Sequence, residues 1–246
     1  MRQEMSYNTI AKIVGVLFII GTASGILSLG FIGSTQGSLD LAKVAADENQ
    51  VLIGALLIFI MAAACAGTTI CLYPVLKKYN EALALGAMGF RLIEGTLMVA
   101  AAVCILTLLS LSKDSVAAGA PVSSYYSTLA ISIQAGYNWI FNVPMLLAWC
   151  TAALMYYYVL YQTKLIPRWL SAWGLIGIVM AMAAAFTTMF GLFDPSMPIN
   201  TLLNLPIMVQ EMIFAAWLVI FGFNAAAFDS LSAGAKGRFE PVAAAQ

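Results

Sequence analysis

The chain has 246 residues, of which 62% are hydrophobic and 9% charged, and its mean hydropathy is +0.93. Soluble domains carry about 25% charge, so this composition excludes an ordinary soluble fold and points to the membrane. Eleven basic residues balance eleven acidic ones and histidine is absent, which leaves no basic stripe for nucleic acid and removes the commonest general base and metal ligand.

Read in order, the residues predict an all-α membrane bundle of six transmembrane helices. The first span covers 13–32, close to the roughly 20 residues a crossing needs, and is too long for a signal-peptide core, so it reads as a retained anchor. Its Gly21-x-x-x-Gly25 pattern with Ser24 and Ser28 lets a second helix approach closely within the same molecule. A polar loop follows, in which Ser38 reads as the cap of a short helix. The second span, 51–73, ends at Pro74, and Lys77 and Lys78 occupy a tight connection.

The third span, 82–109, carries Gly89-Phe90-Arg91-Leu92-Ile93-Glu94-Gly95. The fourth, 133–161, places Gln134, Asn138 and Asn142 on one face, and Pro144 should kink it. Tyr156, Tyr157, Tyr158 and Tyr161 read as an interfacial aromatic belt, as do Tyr125 and Tyr126 before the span. Pro167-Arg168-Trp169 opens the fifth span, 168–193, because proline at a helix start forfeits no needed hydrogen bond. Asp194-Pro195-Ser196-Met197-Pro198 closes it, and the sixth span, 201–224, contains Pro206, Gln210 and Glu211. Residues 1–228 thus form one transmembrane domain, and 229–246 read as a disordered tail.

Orientation follows from the cations. With both termini cytoplasmic, Arg2, Lys12, Lys77, Lys78, Lys164, Arg168, Lys236 and Arg238 lie inside, and only Lys43 and Lys113 lie outside. That asymmetry is the positive-inside pattern and supports six spans with both ends cytoplasmic; the expected location is the cell (inner) membrane.

Arg91 and Glu94, three residues apart on a helix, share one face. An ionised side chain in the bilayer centre costs roughly 2.5 to 3.5 kcal/mol on insertion scales, so such groups turn inward and seek partners. At 1.5 Å per residue, Arg91 lies about 14 Å and Glu94 about 18 Å from the cytoplasmic start of the third span, and Glu211 lies about 15 Å from the outer start of the sixth. Asn142 reaches a similar level. The third, fourth and sixth helices are therefore expected to bring Arg91, Glu94, Asn138, Asn142, Gln210 and Glu211 into one polar centre near the midplane.

Other chemistries lack their residues. Cys65, Cys71, Cys104 and Cys150 form no C-x-x-C pair and sit in apolar runs, where cysteine is a small packing residue. A serine hydrolase lacks a base beside its nucleophile, a di-metal carboxylate centre lacks ligands, and no phosphate-cradling loop is present. No cofactor, metal or nucleic acid is expected, and nothing in the residues supports a homo-oligomer. The bilayer itself is the expected partner, together with a small-molecule or lipid ligand.

Three stretches carry a family resemblance: Ala11-Lys12-Ile13-Val14-Gly15-Val16-Leu17-Phe18-Ile19-Ile20, Phe90-Arg91-Leu92-Ile93-Glu94, and Ile166-Pro167-Arg168-Trp169-Leu170 with Gly174 and Gly177 beyond. Together they resemble the domain-of-unknown-function family four-three-eight-six, multi-pass proteins of bacterial membranes. The resemblance spans nearly the whole chain in order and spacing, with the fourth span matching loosely. It implies the fold and brings no activity with it. The functional expectation drawn from the residues is a small-solute or proton-linked transporter or a ligand-binding membrane protein. In it Arg91 would attract an anionic group and Glu94 or Glu211 would carry a proton. The alternatives are a structural or partner-binding protein whose ion pairs fix helix packing, and an intramembrane lipid-modifying enzyme, which the missing base and metal ligands disfavour.

Overall fold

A computed structural model describes residues 6–119, 125–192 and 197–239, with side chains described as far as Ala233. Among these residues the only regular structure is helical. That follows from the composition, since in hydrocarbon a helix satisfies every backbone polar group within its own segment. The helices are α1 (Tyr7–Phe31), α2 (Leu41–Ala46), α3 (Glu48–Leu76), α4 (Glu81–Ala117), α5 (Tyr125–Asn142), α6 (Pro144–Thr163), α7 (Arg168–Met189), α8 (Pro198–Ile220) and α9 (Ala225–Phe239). Six stretches are long and apolar enough to cross a membrane, α5 and α6 together making the fourth. The molecule is a six-span, multi-pass membrane protein.

Local chemistry sets the ends of these helices. Asn80 caps α4 through a bond from the Leu83 amide (3.0 Å), and Lys164, at φ 55°, ends α6 in the left-handed region. Asp40, rather than the expected Ser38, caps α2, its carboxylate accepting from the Ala42 and Lys43 amides. At Pro144 the expected kink is a full break: Val143 leaves the helical region (φ −124°, ψ −79°) and Pro144 starts a new helix. A proline has no amide hydrogen to continue the ladder and its ring crowds the preceding turn.

The spans form a closed ring in chain order. α1 packs on α3, α3 on α4, α4 on α6, α6 on α7, α7 on α8, and α8 returns to α1. α4 and α5 run beyond the expected limits of 109 and 133 and pack against each other. There they meet the turn Gly33–Thr35 and α2; the Gln134 side-chain amide donates to the carbonyls of Thr35 (2.9 Å) and Gly37 (3.0 Å). Lys113 pairs with Glu48 (2.7 Å) on this outer cap.

Two apolar cores fill the ring at different levels. One, toward the Lys77–Lys78 end, gathers Phe18, Leu72, Leu76, Tyr156, Tyr157, Phe214 and Leu218. The other, toward the cap, gathers Ile32, Val44, Val51, Ile58, Met98, Ile105, Tyr137 and Met145, and takes no residue from α7 or α8. The Lys77–Lys78 end is further closed by α9, which occupies part of the stretch expected to be disordered. Phe228 stacks on Tyr7 (4.5 Å between centroids), Lys78 Nζ donates to Ser232 Oγ (2.9 Å), and Asn224 accepts from the Ala227 amide. Residues 240–246 of that tail lie outside the described residues, as do 193–196 of the fifth-span closure.

Candidate functional site

α4 places Arg91 and Glu94 one turn apart on the face it turns into the ring, and each is only 2% exposed. Arg91 Nη1 donates to both Glu94 oxygens, at 3.1 Å to Oε1 and 2.9 Å to Oε2. Its Nη2 faces Tyr156 Oη of α6 at 3.5 Å and Glu211 Oε1 of α8 at 3.9 Å. The guanidinium lies 5.5 Å from the Phe18 ring centroid of α1 and 5.8 Å from that of Tyr156, and such contacts stabilise a cation removed from water. Cys65 of α3 lines the cavity that these charges border. Residues of α1, α4, α6 and α8 therefore touch one ion-paired cluster, and α3 stands beside it.

The two acids differ in what they leave unmet. Glu94 is enclosed, with 3% of its side chain exposed, and both its oxygens face Arg91. Glu211 keeps 14% exposed; its Oε1 accepts from Trp149 Nε1 at 3.3 Å and stands farther from the guanidinium. A carboxylate offers about four lone-pair sites, so Glu211 has unused acceptor capacity. The three formal charges sum to minus one.

Glu211, Arg91 and Glu94 all line a central cavity of about 310 Å³. Its remaining walls are mostly apolar and come from every span except α7, with Met61, Met98, Met145 and Trp149 among them. Below the ion pair an aromatic layer closes the ring: Phe18, Tyr156, Tyr157 and Phe214 touch one another at centroid distances of 4.5 to 6.4 Å. Above it the cavity rises past Gly21 and Gly25 to Leu29 and Phe141, toward the cap end. The arrangement is a greasy well with an ionic floor.

Of the six predicted site residues, Arg91, Glu94 and Glu211 meet in the centre. Gln210 is fully buried on the other side of α8, accepting from Tyr157 Oη (2.7 Å) and donating to the Leu170 carbonyl (2.9 Å). It ties α6, α7 and α8 together. Asn138 and Asn142 lie apart from the centre, and the Asn142 amide donates to the Asn138 carbonyl (2.8 Å). The face of α5 is the reason: Tyr137 and Phe141 turn toward the interior, whereas Asn138 is exposed and neither asparagine lines the cavity.

Sequence reasoning did not single out Phe18, Cys65, Trp149, Tyr156 or Asn204, which touch the charges or line the cavity. Tyr156 and Tyr157, expected in an interfacial belt, are fully buried, and only Tyr158 of the three faces outward at 43%. The signal was available in the spacing, since Trp149 and Tyr156 lie seven residues, or two helical turns, apart on one face. Among the described residues no three cysteine, aspartate or glutamate side chains gather to hold a metal.

No curated protein and no solved structure matches the chain. The family described as "Domain of unknown function (DUF4386)" matches residues 13–222, from the first span through the end of the sixth and including every charged residue of the cavity floor. The chain is therefore a member of the DUF4386 family, a multi-pass membrane protein with an ion-paired cavity inside its ring of spans.

Proposed function

We propose that this protein binds a small molecule in its central cavity, and that Glu211 is the group that engages the ligand or carries a proton with it. One observation supports the reading above the rest: a cavity of about 310 Å³ reaches a carboxylate whose acceptor capacity is only partly used. A pocket of this size, apolar with a few convergent polar groups, has the composition of small-molecule sites in general. Arg91, expected from the sequence to attract an anion, already donates to Glu94 with two bonds, so the unmet electrostatic demand in the cavity is negative. Transport is the use this reading favours. The cavity extends from the charges toward the cap as far as Leu29 and Phe141, and the Phe18–Tyr156–Phe214 layer closes the other end, as in one half of an alternating cycle. The positive-inside count favours a cap end outside the cell, in an inner-membrane protein with both termini cytoplasmic.

The test is native mass spectrometry of protein extracted gently with its lipids. A bound molecule that leaves on Glu211→Gln supports the reading, and a chain that flies bare from every mild detergent counts against it. A second reading, a scaffold whose ionic centre only locks helices, draws on the buried polar pairs of the interior. These are the two-pronged Arg91–Glu94 pair and the Gln210 bridge.

A further inference from the structure

The wall of the well is incomplete on one side, and that side faces the membrane. α1 and α8 are locked together in the half nearer the lysines, where Gly15 brings the two backbones so close that an added Cβ would lie 2.7 Å from the Ala215 carbonyl oxygen. In the other half α8 is less buried. No residue of α8 before Ile207 is buried, and the outer core takes nothing from α8. Between the two helices Ile26, Leu29 and Met208 line the cavity while remaining 58%, 59% and 48% exposed, so the same side chains that form the wall also form the outer surface. Thr22 and Asn204 are the polar residues at this level. In a six-span protein an exposed apolar surface at this depth meets acyl chains, so the gap leads from lipid to the ionic floor.

We propose that the ligand is a cationic amphiphile, a long-chain amine, which enters between α1 and α8 from the cap-side leaflet and places its ammonium group against Glu211. The inference rests on the ligand-binding reading of the cavity and adds the chemical class and the route. Each part answers to a feature of the site. The formal charge of minus one calls for a cation, the free acceptor positions of Glu211 call for a donor, the methionine-rich walls call for a chain, and the lateral gap admits a molecule already dissolved in the membrane. An anionic amphiphile would meet the Glu211 carboxylate, while Arg91 Nη1 already donates to both Glu94 oxygens and the unpartnered Arg91 Nε is buried.

The experiment uses the full chain in phosphatidylcholine vesicles, with Trp139, Trp169, Trp173 and Trp217 changed to Phe so that Trp149, the hydrogen-bond partner of Glu211, is the reporter. A brominated primary alkylamine is compared with the carboxylic acid and the alcohol of the same chain length. Saturable quenching by the amine is expected, stronger than for either analogue by about tenfold or more, the scale of one charge-assisted hydrogen bond. Glu211→Gln should abolish that preference. Thr22→Phe, which narrows the gap without touching the charges, should slow the onset of quenching, and it serves if the glutamine variant fails to fold. Equal quenching by all three chains, or an amine preference that survives Glu211→Gln, overturns the proposal. A short water-soluble ammonium that competes as well as the long-chain amine also overturns it, while leaving the ligand-binding reading intact. So does the absence of quenching where mass spectrometry still finds another bound molecule.

Discussion

Arg91 owes its place in the membrane to neighbours on three other helices, and that dependence makes its removal costly. Arg91→Ala would strand Glu94 and Glu211 in low dielectric with no cation, and breaking a buried pair from one side costs about 3–5 kcal/mol. The thermal unfolding temperature in detergent should fall steeply or the protein should fail to accumulate. Arg91→Met combined with Glu94→Met removes both charges of the closest pair, and hydrophobic replacement of a whole buried pair is often neutral, so the double variant should recover most of the loss. A double variant no more stable than Arg91→Ala would show that the pair does not hold itself together. Gln210 and Glu211, adjacent in sequence, are expected to separate cleanly. Gln210→Leu leaves Tyr157 Oη and the Leu170 carbonyl without their partner, a loss of about 1–3 kcal/mol in stability. Because Gln210 does not line the cavity, quenching of Trp149 by the amine should be retained in that variant, whereas Glu211→Gln changes the quenching.

Helix contacts follow the same logic one level up, and the small residues decide where helices can touch. Gly21 and Gly25 face α3, as the first-span pattern suggested, Gly25 closely, with a Cβ 3.0 Å from Met61 Sδ, and Gly21 loosely, with a Cβ 3.6 Å from Cys65 Sγ and 3.7 Å from Ala64 Cβ. Gly15, outside that pattern, makes the tighter approach, to α8. Gly15→Ala must push α1 off α8, at a cost of about 1–3 kcal/mol for overpacking, whereas Gly21→Ala should fit into ordinary contact. Thermal unfolding of the two variants side by side checks this, and equal losses would contradict the backbone approach between α1 and α8. Gly15 shows what the chain order conceals. Period and length identify a span, and small residues identify a face that is able to pack, but the partner on that face is set by the closure of the ring between the first and last spans. The same limit explains the fourth span. Pro144 announced a disturbance, yet only the packing shows that α5 turns Tyr137 and Phe141 inward and leaves Asn138 exposed, while Trp149 and Tyr156 of α6 enter the centre. The Arg91–Glu94 pair was legible because both members sit on one helix, three residues apart, where geometry needs no tertiary information.

At the scale of the whole molecule, the charges outside the membrane and the cavity inside it point the same way. Lys12, Lys77, Lys78, Lys164 and Arg168 gather at the end of the ring that the aromatic layer closes. Lys43 and Lys113, with the cap formed by α2, α4 and α5, mark the end toward which the well extends. If lysine and arginine set orientation as they do in membrane proteins generally, the well faces away from the cytoplasm and any ligand reaches it from the outer leaflet. Ser38 on the cap side and Gln162 at the lysine end are both exposed, so each offers a site for an engineered thiol. With Cys65, Cys71, Cys104 and Cys150 replaced by Ala, Ser38→Cys should react with a membrane-impermeant maleimide on intact spheroplasts, and Gln162→Cys only after lysis. The reverse pattern would turn the cap end of the well to the cytoplasm. It would then make the route between α1 and α8 a path for molecules of the inner leaflet, with Glu211 receiving them from the opposite side of the membrane.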